Sequence, residues 1–355
     1  MKILQIGPVS YVGGVSIHIR RLVALLNDKF EFNFIDESPY SLTPKNTLNI
    51  RRIKDHPKII KSILIQDLIH IHSGNWFLRL YFIFISIVFR KSFIVTLHSY
   101  RINRFKALIT GLLLSKAKVI IAVNKEIKEN LPHELHNKTI IKEAFLPPII
   151  KAEAHLPQNI IQLVHNYTNQ KTLVCANAFR IKKFENGELY GLDQCIEVAK
   201  KAKTEKLNIH IVFVIGLIKE EDKEYYNTFL KLIKENHLTD FITIIPKSLS
   251  FVRLMQLCDI TLRPTLTDGD ALTIREALFL NKKVIASDVV VRPFGTYTYS
   301  KGDSTKLFEK IKEVSFIKNS SMIKKVKLSN KDYKKEYINI YNQCNNSPKN
   351  LAPAK

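Results

Sequence analysis

Asp268 and Glu276 are separated by seven residues within the stretch RPTLTDGDALTIREALFLNKKVIASD, which runs from Arg263 to Asp288. Residues 260–263 read as a short buried strand and 267–270 as a polar turn that includes Gly269. From Ala271 to Leu280 the apolar residues recur at helical spacing, and 284–287 read as the next strand. A strand, a turn, a helix and a strand make one βαβ unit. Its helix start offers unpaired N–H groups and a positive dipole end to an anion. Asp268 stands before that helix, and Glu276 lies about two turns further on. Acids so spaced can bracket one ligand, each accepting hydrogen bonds from hydroxyls. In the plainer reading, Asp268 caps the helix and Glu276 is solvated. Phosphate at the loop with hydroxyl readers beside it is the chemistry of a nucleotide-sugar.

The elements that must position these acids follow a repeating pattern. In the first half, strand-like runs at 3–6, 30–35, 68–71, 93–97 and 119–123 alternate with helical patterns at 15–26, 57–65, 76–89 and 105–115. Strict alternation at these lengths predicts a doubly wound parallel sheet. Pro147-Pro148 denies hydrogen bonds to helix and sheet alike and marks the domain boundary. The pattern then restarts, with strands at 173–176, 209–215, 241–245, 260–263 and 284–287 and helices at 193–203, 223–236, 249–257 and 271–280. We therefore expect an α/β chain of two Rossmann-like domains, 1–147 and 148–327. A C-terminal helix within 328–344 and a polar, disordered tail over 345–355 complete the expectation. A chain of 355 residues is long enough for two such cores.

Composition narrows the classes. No segment reaches the ~18 apolar residues of a transmembrane helix, and the N-terminus runs straight into a strand, so no signal peptide is expected. Cys175, Cys195, Cys258 and Cys344 lack zinc-like spacing and read as reduced, buried thiols of a cytosolic protein. The formal charge of +23 favours polyanions, either nucleic acid or anionic lipid. No helix-turn-helix, zinc finger or aromatic sheet motif accompanies it, so nucleic acid is not the expected partner. Part of the charge also reflects a Lys-, Asn- and Ile-rich composition.

Further residues could carry chemistry. Gly13-Gly14 follows the first strand and opens the first helix, where glycine lets the backbone approach a phosphate or sugar. Ser16 and His18 lie on that helix, His18 being equally readable as a surface residue. His98 sits just past the strand 93–97, where such folds place ligand contacts. His70 and His72 alternate along another strand end and share a face. A metal site is not expected there, because no carboxylate or third histidine accompanies them in sequence. Arg180 follows the first strand of the second half.

Together these residues resemble the GT4-like glycosyltransferases of the GT-B fold. The resemblance rests on Gly13-Gly14, Thr96-x-His98, Arg180, the pair Asp268 and Glu276 with Ala277, and the strand Val284-Ile285-Ala286-Ser287. It departs from the family where Asp268 replaces the usual Glu, Lys283 replaces Pro, and Tyr190 precedes Gly191 in place of Lys. It implies two Rossmann-like domains facing a cleft, a C-terminal helix crossing back onto the first domain, and retaining transfer of a hexosyl unit from a nucleotide-sugar. The acceptor would be a saccharide or lipid-linked saccharide in surface polysaccharide synthesis, with no cofactor or metal.

The resemblance makes Arg180, with Lys182 or Lys183 in place of the missing Lys, the cations that neutralise the departing diphosphate. Donor contacts would come from Gly13, Gly14, Asp268, Gly269, Asp270, Ala271, Leu272 and Glu276. Catalytic roles fall to His98, Arg180, Asp268 and Glu276, and the acceptor side to Ser16, His18, His72 and His98. The basic, aromatic segment Trp76 to Lys118 further predicts docking on an anionic membrane surface from the cytoplasmic side. Leu80 to Phe89 reads equally as a buried helix.

Overall fold

In the computed structural model, all residues are described except 12, 40–42, 45–46, 101–103, 169, 270, 318–331 and 346–355. The chain divides into two compact units, Met1–Leu146 with Lys331–Lys355, and Pro147–Asn330.

The apolar runs of the first unit become strands covered on both faces, which is why they read as unbroken hydrophobic segments. Strands β1 (Lys2–Gly7), β2 (Glu31–Asp36), β3 (Leu48–Asn49), β4 (Leu68–Ile71), β5 (Ser92–Leu97), β6 (Val119–Ala122) and β7 (Thr139–Ile141) form one sheet in the order 3-2-1-4-5-6-7. Every pairing is parallel. Helices α1 (Gly14–Leu26), α2 (His56–Ile65), α3 (Trp76–Val88), α4 (Arg104–Leu114) and α5 (Lys125–Glu129) connect them. Asn75 starts α3 by accepting a hydrogen bond from the Leu78 amide at 3.1 Å, satisfying one of the helix's orphan donors.

The second unit holds β8 (Thr172–Ala178), the two-residue strands β9 (Lys183–Phe184) and β10 (Gly187–Glu188), β11 (Ile209–Ile215), β12 (Ile242–Ile245), β13 (Ile260–Arg263), β14 (Lys283–Ser287) and β15 (Thr296–Tyr299). Its main sheet runs β12-β11-β8-β13-β14-β15, all parallel, while β9 and β10 pair as a separate antiparallel hairpin. Helices α6 (Gln158–Tyr167), α7 (Leu192–Thr204), α8 (Lys223–Glu235), α9 (Phe251–Leu257), α10 (Leu272–Phe279) and α11 (Ser304–Phe316) pack around it. In both sheets the strand order reverses beside the first strand. The crevice outside the strand C-termini at that reversal is where this fold takes its ligands.

Helix α12 (Tyr333–Asn345) belongs to the first unit. Tyr337, Ile340, Tyr341 and Cys344 pack with Ile3, Leu22, Phe30 and Leu68, so its apolar stripe finishes that core. The four cysteines are free and buried. Among the described residues no helix is long and apolar enough to cross a membrane. The tail from 346 onward lies outside the described residues.

Candidate functional site

Each unit gathers candidate side chains at its own strand reversal. In the second unit the reversal lies between β8 and β13, so Arg180 and the loop after Arg263 emerge side by side. That loop is pinned from several directions. Leu266 donates its amide to the Leu189 carbonyl at 2.9 Å, Gln194 Nε2 donates to the Pro264 carbonyl at 2.9 Å, and Ser287 Oγ donates to the Thr265 carbonyl at 2.6 Å. Gly191 caps α7 at φ 80, in the left-handed region, and a Cβ there would lie 2.2 Å from the Pro264 carbonyl oxygen. Only glycine fits between the two loops.

Asp268 sits in this pinned loop and does not cap α10, whose cap position is Ala271 with no side-chain bond. Its carboxylate instead receives Arg263 through two bonds of 3.1 Å, Arg292 Nη1 at 2.8 Å, Thr265 Oγ1 at 3.3 Å and the Gly269 amide at 3.0 Å. Its side chain is 7% exposed, and that of Arg292 is 2% exposed. Burial by itself would raise the carboxyl's pKa, but Arg263 and Arg292 more than offset this and hold it below its ordinary value. Glu276 lies buried on α10, 5% exposed. Gly269 is exposed with open space where a Cβ would sit. Ala271 is buried and Leu272 opens α10. Asp270 lies outside the described residues.

Arg180 is held by Asp222, with Nη2 to Oδ1 at 2.7 Å and a second bond through Nε, and by Glu221. The insertion after it folds as the β9–β10 hairpin, whose first strand begins at Lys183. Lys182 and Lys183 are exposed, and Lys183 Nζ lies 5.1 Å from the Tyr225 ring. A hollow of about 530 Å³ is lined by Arg180, Lys182, Lys183, Tyr190, Asp222 and Tyr225, among others. Sequence reasoning missed Glu188, which organises the hairpin. It is fully buried and accepts the amides of Lys182, Tyr190 and Leu192 at 2.9–3.1 Å. Burial raises its pKa to about 7 in spite of these donors. Arg263 was also left out of the site, and the Tyr190 ring lies 5.3 Å from its guanidinium carbon. Tyr190, which stands where the resembled family has Lys, is thus covered by a guanidinium from β13 that is itself bonded to Asp268.

In the first unit, β1, β4 and α1 bring histidines together. A Cβ on Gly7 would lie 2.9 Å from Ile19 Cδ1 and 3.1 Å from His72 Cβ, so glycine at the end of β1 lets α1 settle against β4. His18 is therefore buried rather than on the surface, 1% exposed, with Nδ1 2.8 Å from the Ala144 carbonyl. Ser16 beside it is buried and donates to the Pro8 carbonyl. Gly13 precedes α1 in extended backbone, and Gly14 begins the helix. His72 Nε2 lies 2.9 Å from Gln5 Oε1, and His72 Nδ1 lies 3.4 Å from His98 Nε2. His70 meets Tyr341 Oη at 2.9 Å and Thr96 Oγ1 at 2.8 Å.

The reason for discounting a metal there, the lack of a third histidine, does not hold. His18 and His98 are distant in sequence, yet His18, His72 and His98 present ring nitrogens all within 4.8 Å of one another. Burial depresses the His18 pKa to about 4, and those of His70, His72 and His98 well below the ordinary range. All four rings are neutral at pH 7.

No protein-family model matches the chain, and no curated sequence does. Solved structures match almost throughout. A glycosyltransferase from Rickettsia africae is 17% identical with a TM-score of 0.65, covering 88% of each chain. HepE of Anabaena, solved with UDP-glucose, is 15% identical with a TM-score of 0.62, covering 89% of this chain and 90% of that one. UDP-GlcNAc 2-epimerase of Methanocaldococcus jannaschii is 15% identical with a TM-score of 0.58, covering 90% and 94%. The chain has the GT-B fold.

Proposed function

We propose that the protein is a retaining, GT4-like glycosyltransferase. It would move a hexosyl unit from a nucleotide-sugar to a saccharide or lipid-linked saccharide acceptor in surface polysaccharide synthesis. The observation that carries this reading is the second unit's strand reversal, where Arg180 follows the end of one strand and buried Glu276 stands on the helix after the other. A helix start and an arginine suit the diphosphate; a shielded carboxylate suits ribose hydroxyls. The structural likeness to HepE with UDP-glucose supports the same reading. In the first unit, His98 with Ser16, His18 and His72 is assigned to the sugar and acceptor side. The protein's own cations and helix termini, with no metal or cofactor, would stabilise the leaving diphosphate, which gains charge in the transition state.

The test is release of nucleoside diphosphate that depends on an acceptor, after a thermal-shift panel of nucleotide-sugars has chosen the donor. Glu276→Ala should weaken donor use about 10- to 150-fold, the loss of a charged hydrogen bond worth ~1.5–3 kcal/mol. Normal turnover in that variant would sink the donor-site assignment. A second reading is favoured by Asp268, whose oxygens are taken up by two arginines. In it the chain binds nucleotide-sugars and transfers poorly or not at all, and diphosphate release would not respond to any acceptor.

Exposed apolar side chains on two helices support the membrane proposal. On α4, Phe105, Leu108 and Leu112 are 70–73% exposed and recur on one helical face. On the neighbouring α3, Phe77, Phe84 and Val88 are 55–71% exposed. The segment 80–89 is thus not simply a buried helix, since Phe82 and Ile83 face the core while Phe84 and Val88 face out. Arg79 is not among the surface cations: it is buried and donates to the Ser73 carbonyl at 3.0 Å. Arg90, Lys116 and Lys118 are exposed; Arg101 lies outside the described residues. We expect co-sedimentation with anionic liposomes that falls with salt and is lost when Phe105, Leu108 and Leu112 become Ser. Equal binding to neutral vesicles, or no binding to anionic ones, would remove the membrane from the proposal.

A further inference from the structure

We propose that His18, His72 and His98 form a binding site for one borderline divalent transition metal, Zn²⁺ being the natural occupant. Hydrogen bonds behind two of the rings decide which nitrogens are left to bind it. Gln5 Nε2 donates to Tyr341 Oη at 3.1 Å, which turns the Gln5 carbonyl oxygen toward His72. That oxygen can only accept, so His72 Nε2 carries the hydrogen and Nδ1 keeps its lone pair. The Ala144 carbonyl likewise fixes the hydrogen on His18 Nδ1. His18 Nε2 is then an acceptor, fully buried with no hydrogen-bond partner. A buried lone pair without a donor is costly, and a cation satisfies it.

Two of three imidazoles therefore have their tautomer set by an acceptor behind the ring, the arrangement that orients histidine ligands in metal sites. The spacing agrees. Two nitrogens on a tetrahedral zinc, each about 2.0–2.1 Å from it, lie about 3.3 Å apart. His72 Nδ1 and His98 Nε2 are 3.4 Å apart, longer than an ordinary N–H···N bond and close to that value. Small side-chain adjustments would bring all three within reach, since they already lie within 4.8 Å. Three neutral imidazoles and no carboxylate select zinc, cobalt or nickel over magnesium or calcium. The fourth position is left to water or another oxygen ligand, on the side of His98, the most exposed of the three. His70 is no ligand, because both of its nitrogens are engaged. Arg21 and Arg79 lie near enough to oppose a dication, and Glu37 beside Arg79 offsets part of this.

The test is titration of the purified, untagged, chelator-treated chain with Co²⁺, followed by its visible absorption, with Zn²⁺ added afterwards as competitor. We expect one equivalent of Co²⁺ with a tetrahedral or five-coordinate spectrum, bleached by one equivalent of Zn²⁺. His72→Ala and His98→Ala should each weaken binding at least ~100-fold. Gln5→Leu, which removes no ligand but takes away the orienting acceptor together with the bond to Tyr341, should weaken it about 10- to 100-fold. His136→Ala should change nothing. Its ring pairs with that of His133, 5.2 Å away, as an i,i+3 surface pair that could hold metal adventitiously. Should buried His72→Ala fail to fold, His98→Ala and the wild-type titration still decide. No uptake by the wild type, uptake unchanged in His98→Ala, or uptake lost in His136→Ala would each overturn the proposal.

Discussion

Replacing Asp268 with alanine should cost the protein about 3–5 kcal/mol of folding stability, the scale for breaking a buried ion pair from one side. The loss follows from what would remain: Arg292, 2% exposed, and Arg263, 14% exposed, both facing a site with no counter-charge. Arg292 also bonds the Ser287 carbonyl at 2.8 Å, so the disturbance would spread to the end of β14. Two companions separate charge from packing. Asp268→Glu keeps the charge and should be milder than alanine. Asp268→Ala with Arg292→Leu should recover part of the loss, because the more deeply buried of the two arginine charges goes with its partner while Arg263 remains. The carboxyl is held below its ordinary value, so this stabilisation is present at neutral pH and is lost as pH falls through the folded value. Denaturant unfolding measures all of this. A loss below about 1 kcal/mol would place the cluster with solvated surface pairs and remove it as the frame of the site.

The sequence already showed most of the architecture, because its information is local. Buried parallel strands are continuous apolar runs, and those at 68–71, 209–215 and 260–263 have the predicted limits. Most misses are elements whose signal is weak; the exception is α11, passed over although Leu307, Phe308, Ile311 and Val314 recur at helical spacing behind the Asp303 cap. Strands β3 and β7 have two and three residues, and β15 reads TYTY on a sheet edge. Helix α6 begins after Pro157 and carries two asparagines and two glutamines, which blur its period. The insertion Lys182 to Tyr190 looked like loop because its hairpin is held by Glu188, and nothing local announces that a glutamate will be buried. The site was legible only where one segment carries it, as with the helix bearing Glu276. The Asp268 pairing with Arg292 and the convergence of His18, His72 and His98 join residues 24 to 80 positions apart. Only the strand order decides such meetings.

Arg180→Ala should lower kcat by about 10²- to 10³-fold while raising the donor KM far less, on the reading that this guanidinium faces the departing diphosphate. A fixed cation stabilises the charge that develops as the glycosidic bond breaks, more than the charge already present in the bound donor. The structure adds a reason for its precision. Asp222 holds the guanidinium through two nitrogens and Glu221 holds it from a third contact, so its position is set before any ligand arrives. Asp222→Asn should therefore cost less than Arg180→Ala, loosening the fork without removing the charge. Arg180→Lys should recover little, since an ammonium cannot reproduce the paired geometry. His98→Ala provides the contrast. It belongs to the other unit and should reduce turnover while leaving nucleoside diphosphate affinity nearly intact, measured by calorimetry on both variants. If Arg180→Ala and His98→Ala lose nucleotide affinity equally, or if Arg180→Ala raises KM as much as it lowers kcat, this division of roles is wrong.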